Sequence, residues 1–215
     1  MNKQKLLLSL TAAILALILL LCGCQSGEEK KDALPIPIRT TVEASDNSFG
    51  ARYSFTLGKI SKDIGRNLGS LRIELKEENW ETLSVGLIDD NGVKYTSYCN
   101  HTDSVSFIAA VEDESGKVMN FGCGCGSEQL SDSAYRSSFL RLAALIAVQT
   151  GGYSDDSTAF FMGLFQDLLD SEEEALSYGE TLYFKSIDEK TTVLMTAPCS
   201  EQVMIDKQYK NYSGK

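Results

Sequence analysis

The chain has 215 residues, 43% of them apolar, and carries 20 Lys and Arg against 30 Asp and Glu, a net charge of −10. That length suffices for one domain that buries its own core. The acidic balance disfavours nucleic acid and anionic lipid surfaces as partners, because both are bound through clustered Lys and Arg.

Met1 to Cys24 reads MNKQKLLLSLTAAILALILLLCGC. Lys3 and Lys5 form a short basic start, Leu6 to Leu21 is an uncharged run, and small residues follow before a cysteine. This is the layout of a secretory signal. Sixteen uncharged residues are short for a bilayer-spanning helix, which needs about 20. Leu21-Cys22-Gly23-Cys24 resembles the lipobox of bacterial lipoproteins: a branched aliphatic residue, a small residue, Gly, and the Cys that becomes the acylated N-terminus. The resemblance implies that residues 1–23 are a signal peptide. It also implies that Cys24 carries the lipid (palmitate-type acyl chains), and that the domain sits on the extracytoplasmic face of a cell membrane. Two acyl chains give stable anchoring. Without residues 1–23 the chain loses Lys3 and Lys5 and no acid, leaving 18 bases against 30 acids.

Residues 24–46 read as the lipidated terminus and a flexible spacer, with Glu28 to Asp32 charged and Pro35 and Pro37 favouring extended backbone. Residues 47–200 read as a single domain. Phe49 to Leu57 alternates and predicts a strand. Lys59 to Ser70, with Gly65 and Gly69, predicts a loop, and Leu71, Ile73 and Leu75 another short strand. Thr82 to Ile88 and Val93 to Tyr98 flank Asp89-Asp90-Asn91-Gly92 and predict a hairpin, as do Val105 to Val111 and Lys117 to Cys123. The pattern then turns helical. Ser131, Asp132 and Ser133 offer caps to a helix that is apolar around most of its surface and ends at Gly151-Gly152. A second helix follows Asp155 to Ser157. Ser171-Glu172-Glu173-Glu174 predicts a short third helix, since acids favour a helix N-terminus. Thr181 to Ser186 and Thr191 to Ala197 form a last hairpin, and residues 201–215 a polar, frayed tail. The expected fold is α+β: an antiparallel sheet of about eight strands with a helical hairpin packed on one face.

Four cysteines remain: Cys99, Cys123, Cys125 and Cys199. Each lies at or past the end of a predicted strand, and an up-and-down path gathers all four at one end of the sheet. Disulfides are the default for an even count outside the cytoplasm. Cys99 and Cys123 are separated by an intervening strand, roughly 9–10 Å, against a bridging limit of about 7 Å. Cys199 is therefore the expected partner of Cys123 or Cys125, with Cys99 taking the other if the loops permit. A metal site is the second reading, with Cys123-Gly124-Cys125 and Cys99-Asn100-His101 as donors, although zinc prefers Cys-x-x-Cys. Free structural thiols are the third.

His101 is the only histidine, so any Ser-His-Asp or Cys-His site must use it. Cys99, two residues away, is the candidate partner if the two share a face, but His101 reads first as a loop histidine in a turn. Gly122 to Gly126 has its third glycine misplaced for a dinucleotide loop. Trp80 reads as a core or strand-edge residue before a sugar-stacking platform. No catalytic residue, metal or cofactor is assigned. The expected role is a membrane-anchored, non-enzymatic domain that binds an envelope protein. The alternatives are a carrier enclosing an apolar ligand, or a thiol-based enzyme or metal-binding protein on Cys99, His101, Cys123, Cys125 and Cys199.

Overall fold

β1 (Val42–Ala44) and β2 (Ala51–Tyr53) pair antiparallel as a two-stranded ribbon, and α1 (Leu57–Leu68) follows. The structure, a computed structural model, describes residues 33–68, 71 and 73–214; the signal-like stretch with Cys22 and Cys24 lies outside the described residues. β3 (Glu81–Ile88), β4 (Lys94–His101), β5 (Ser106–Glu112) and β6 (Val118–Gly126) form a meander. The chain then leaves the sheet for α2 (Ser133–Gly151) and α3 (Thr158–Asp170), and returns as β7 (Ala175–Tyr178), β8 (Thr181–Ile187) and β9 (Thr191–Pro198). A short α4 (Glu201–Asp206) and β10 (Lys210–Asn211) end it. The fold is α+β, and its eight-stranded sheet has the order β10-β7-β8-β9-β6-β5-β4-β3. All its strand pairs are antiparallel except β10 with β7, which is parallel.

One face of the sheet is the core. Phe107, Cys123 and Leu194 occupy one cross-strand row of it, and Ala109, Phe121, Thr196 and Tyr183 the next. α2 lies over β6 and β9, with α1 and α3 also packed against it. A helix with neighbours on several sides must be apolar nearly all round, and eleven of its residues, from Phe139 to Gly151, are buried. Asp132 caps it by accepting from the Tyr135 N–H at 2.8 Å. Gly152, at φ 71°, closes it in the left-handed conformation that a Cβ disfavours. The Lys185 ammonium donates to the carbonyls of Leu168 and Ser171, at 2.7 and 2.6 Å, where α3 ends. A cation there suits the negative end of the helix dipole.

Four expectations change. Residues 57–68 are a helix, because Leu57, Ile60, Ser61, Ile64 and Leu68 recur at helical spacing and the last four are buried. The strand expected from Phe49 to Leu57 shrinks to Ala51–Tyr53 and pairs with β1, outside the large sheet; Leu71, Ile73 and Leu75 lie in no strand. The third helix expected after Ser171 is instead β7: pairing with the free edge of β8 outweighs the local helical preference of Glu173 to Leu176. The tail is ordered as α4 and β10, with the Tyr212 N–H donating to the Ser177 carbonyl at 2.8 Å. The count of eight strands therefore holds with a partly different membership. The compact unit spans Leu34–Lys215. Tyr178 donates to the Pro35 carbonyl, and the Ile38 N–H to that of Gly152, so part of the expected spacer is docked.

Candidate functional site

The cysteines do not share a pole. On β6, Cys123 is opposite Leu194 and Cys125 opposite Thr192 of β9. Cys199 lies five residues beyond Leu194, roughly 17 Å along the strand at ~3.4 Å per residue. It is at the opposite end of the sheet from Cys125, out of reach of a bridge. Cys99 is level with Ile108 and Gly122, with β5 between, and faces the other side of the sheet from Cys123. Cys123 and Cys125 share one face of one extended strand and hold no bridge. All four thiols are buried and unpaired. The expected disulfides of Cys199 with Cys123 or Cys125 are thus corrected, and the reason is β7. One strand more than expected between α3 and β8 reverses the direction of β8 and β9, so Cys199 emerges at the far end.

Burial governs the core thiols. It pushes Cys123 far above the ordinary thiol range, with the neighbouring Cys125 adding to the shift. It raises Cys125 too, partly offset by a hydrogen bond with the Tyr135 hydroxyl, and pushes Cys199 up to about 11. These are protonated structural thiols. Among the described residues no three His, Cys, Asp or Glu side chains are grouped to hold a metal ion.

Cys99 is different. It and His101 project from the outer face of β4, two residues apart on an extended strand, and Ser106 of β5 is directly opposite His101. His101 Nε2 is 3.3 Å from Cys99 Sγ, and His101 Nδ1 is 2.8 Å from Ser106 Oγ. His101 Nδ1 is 3.7 Å from the same sulfur, so Cys99 Sγ lies over the face of the imidazole, while Nδ1 has Ser106 Oγ as its hydrogen-bond partner. Glu81 of β3 is opposite Cys99. Burial first, and then the Glu81 charge, raise the Cys99 thiol, while the Ser106 hydroxyl offsets part of the shift. The juxtaposition of Cys99 with His101 follows from their spacing. Ser106 was the missing member. A turn at residues 102–105, closed by Thr102 N–H donating to the Val105 carbonyl at 2.9 Å, sets the register that brings it in.

A second feature is the free edge of the sheet. Among the described residues β3 has no strand outside it. Leu83, Val85 and Ile88 on it are 55%, 72% and 62% exposed, three of the eight large apolar residues that reach solvent among the described residues. The edge carries no Lys and no Pro, the usual guards against strand addition. Two register shifts flank Ser84, and Gly86 sits at φ 64°. Glu77, Glu78 and Glu81 lie at one end and Asp89 and Asp90 at the other. Trp80, next to this edge, is a packing residue: its ring meets Phe121 edge-on at 5.9 Å, and its Nε1–H donates to Ser61 Oγ at 2.8 Å.

Two clefts are open to solvent and of mixed lining. One of about 610 Å³ is lined by Asp46, Arg52, Lys94 and Glu112 to Glu114, with Arg52 and Glu112 paired at 2.6 Å. The other, about 390 Å³, lies beside Pro37 to Val42 and Gly179 to Thr181. No helix of the described residues is long and apolar enough to cross a membrane. No protein-family model matches the chain, and no curated protein or solved structure matches it.

Proposed function

We propose that this chain is a lipid-anchored, extracytoplasmic binding domain that offers the free edge of β3 to an extended segment of a partner protein. The observation that carries the reading is Val85, 72% exposed between Leu83 and Ile88 on an edge strand that holds no Lys and no Pro. An added strand would pair with the open backbone groups, and its apolar side chains would cover these three. Acids bracket the edge at Glu77, Glu78, Glu81, Asp89 and Asp90, so the fitting segment is apolar at its centre and basic at its flanks. A second copy of the same edge fits poorly. Antiparallel self-pairing centred on Val85 sets Glu81 opposite the copy's Asp89, bringing like charges together. Anchoring rests on Cys24 and its lipobox-like context. The apolar-carrier alternative draws no support from the larger cleft, which is open and lined by acids and bases.

The test is a photo-crosslinking residue placed at Val85 in the native host, compared with one at Ile187, which is 52% exposed on the other side of the sheet order. A discrete crosslinked band at Val85 alone, lost in a Leu83→Lys background, supports the reading. Equal labelling at both positions, or none at either, sinks it. Cys24→Ala should move the protein from the membrane pellet to the soluble fraction, and continued pelleting would refute the anchor.

A further inference from the structure

We propose that Leu34, Ile36 and Ile38 form an apolar ridge that rests in the interface of the bilayer carrying the lipid anchor, so that the domain is held against the membrane by this end. The inference rests on the anchoring through Cys24 proposed above. It goes beyond that reading by assigning a second membrane contact and, with it, an orientation.

Exposed apolar surface is concentrated here. Among the described residues eight large apolar side chains reach solvent, and Leu34, Ile36 and Ile38, at 49%, 78% and 73% exposure, are three of them within five consecutive residues. Single exposed apolar residues are ordinary, whereas grouped ones mark a contact surface. The backbone that carries them is pinned. Pro35 and Pro37 restrict φ. The Tyr178 hydroxyl donates to the Pro35 carbonyl at 2.5 Å, the Ile38 N–H to the Gly152 carbonyl at 2.7 Å, and the Arg39 guanidinium to the Gln149 carbonyl at 2.7 Å. Tyr178 is itself packed on Phe160, with ring centroids 4.6 Å apart. A segment ordered in advance, with its Ile side chains still in water, loses little further entropy when those side chains are covered.

Position and charge select a lipid surface as the occupant. Leu34 is the first large apolar residue after Cys24 and lies ten residues beyond it, so it stays within about 36 Å of the acylated residue. From Ala33 to Val42 the sole charge is Arg39, in a chain with a net charge of −10. Seating this strip therefore takes no carboxylate into the interface. Acids stand close by: Glu180 shares a cleft with Ile38 and Arg39, and Asp155 accepts from the Gln149 amide at 3.3 Å. They repel anionic headgroups, so the attraction is apolar and zwitterionic lipid fits it. The same cleft sets Pro37 to Val42 beside Gly179 to Thr181, at the turn between β7 and β8. Ile187 ends β8 six residues after Thr181, roughly 20 Å away along the strand. Contact through the ridge turns that far end away from the bilayer.

The experiment uses the full-length lipidated protein in phosphatidylcholine vesicles, with and without bromine on the upper part of the acyl chains. Bromine quenches indole fluorescence on contact. Trp80 is the only tryptophan and is packed on Phe121, so the unsubstituted protein supplies the baseline. Ile36→Trp and Ile187→Trp each add one reporter at an exposed position. The emission added by Ile36→Trp should fall about two-fold or more in brominated vesicles, and that added by Ile187→Trp should not change. Ile38→Asp, combined with Ile36→Trp, should remove most of the quenching, because the interface penalises a buried carboxylate. Flotation of the vesicles separates the two readings. Protein that floats with unquenched Ile36→Trp emission overturns the ridge and leaves the anchor standing. Protein that does not float overturns the anchor, and the ridge with it. A blue shift of Ile36→Trp without bromine quenching assigns the ridge to a protein surface, such as a second copy, and overturns the inference. Equal quenching of Ile36→Trp and Ile187→Trp, or quenching that appears only when phosphatidylglycerol is added, does the same.

Discussion

Ile64→Ala tests whether residues 57–68 are a packed helix. Ile64 is fully buried on the inner face of α1, with Ile60 and Leu68 one turn to either side and α2 beyond. Truncation removes three carbons and leaves a cavity that the rigid neighbours fill only in part. Buried Ile→Ala changes cost 2–5 kcal/mol, so about 3 kcal/mol is expected. With a urea m-value of about 2 kcal/mol/M, the unfolding midpoint should fall by about 1.5 M. Lys62→Ala, on the exposed side of the same helix, should shift stability by less than about 0.5 kcal/mol. The assay is urea denaturation followed by circular dichroism and by Trp80 fluorescence, since Ser61 of α1 accepts the indole N–H. A loss below about 1 kcal/mol for Ile64→Ala, or one equal to that of Lys62→Ala, would refute a buried helix.

Gly152→Ala should cost about 2 kcal/mol, because its φ is 71° and a Cβ would stand 2.7 Å from the Arg39 carbonyl oxygen. Gly92→Ala, at φ 81° with nothing near the added carbon, should lose only about 1 kcal/mol; equal melting-temperature losses for the two would remove the clash from the account. Stability should also fall at alkaline pH. A thiol such as Cys199 ionises near 9.0 when unfolded and near about 11 when folded. Its contribution is therefore whole below pH 9 and is lost as pH rises through 11. Cys199→Ala should flatten the decline in melting temperature over that window, and an unchanged slope would count against the burial argument.

The parts of the fold that were legible in the sequence are those in which local pattern and tertiary packing agree. The hairpins around Asp89 to Gly92 and Asp113 to Gly116 combine alternation with turn residues, and both form. The long apolar run from Phe139 to Val148 could only be a deeply packed helix. α1 was hidden by Gly58 and Gly65, which usually weaken a helix. Here small residues serve close approaches: a Cβ at Gly58 would collide with the Glu77 carboxylate, and one at Gly65 would stand 3.2 Å from the Leu75 carbonyl oxygen. The loop from Leu75 to Trp80 lies against α1 because these positions lack side chains, and periodicity in Ile60, Ile64 and Leu68 survives around them.

The misplaced cysteine pole shows how a small local error becomes a large one. Glu172 to Leu176 has the acids and helix formers of a helix start, and nothing within those five residues argues for a strand. The deciding interactions are distant: Leu176 is opposite Tyr183, Ser177 opposite Leu182, and Tyr212 reaches back to the Ser177 carbonyl from the end of the chain. Directions in an antiparallel path alternate, so one unread strand inverts all that follow, and Cys199 moves from one end of the sheet to the other. The contact between Cys99 and His101 escaped this error because it depends on no strand count. It needs only that two residues on one extended strand, separated by one, face the same side. Ser106 required one further inference, the register across a tight turn, and that too is local. Chemistry read from i, i+2 spacing and hairpin register therefore survives a mistaken topology, whereas chemistry that depends on where distant strands end does not.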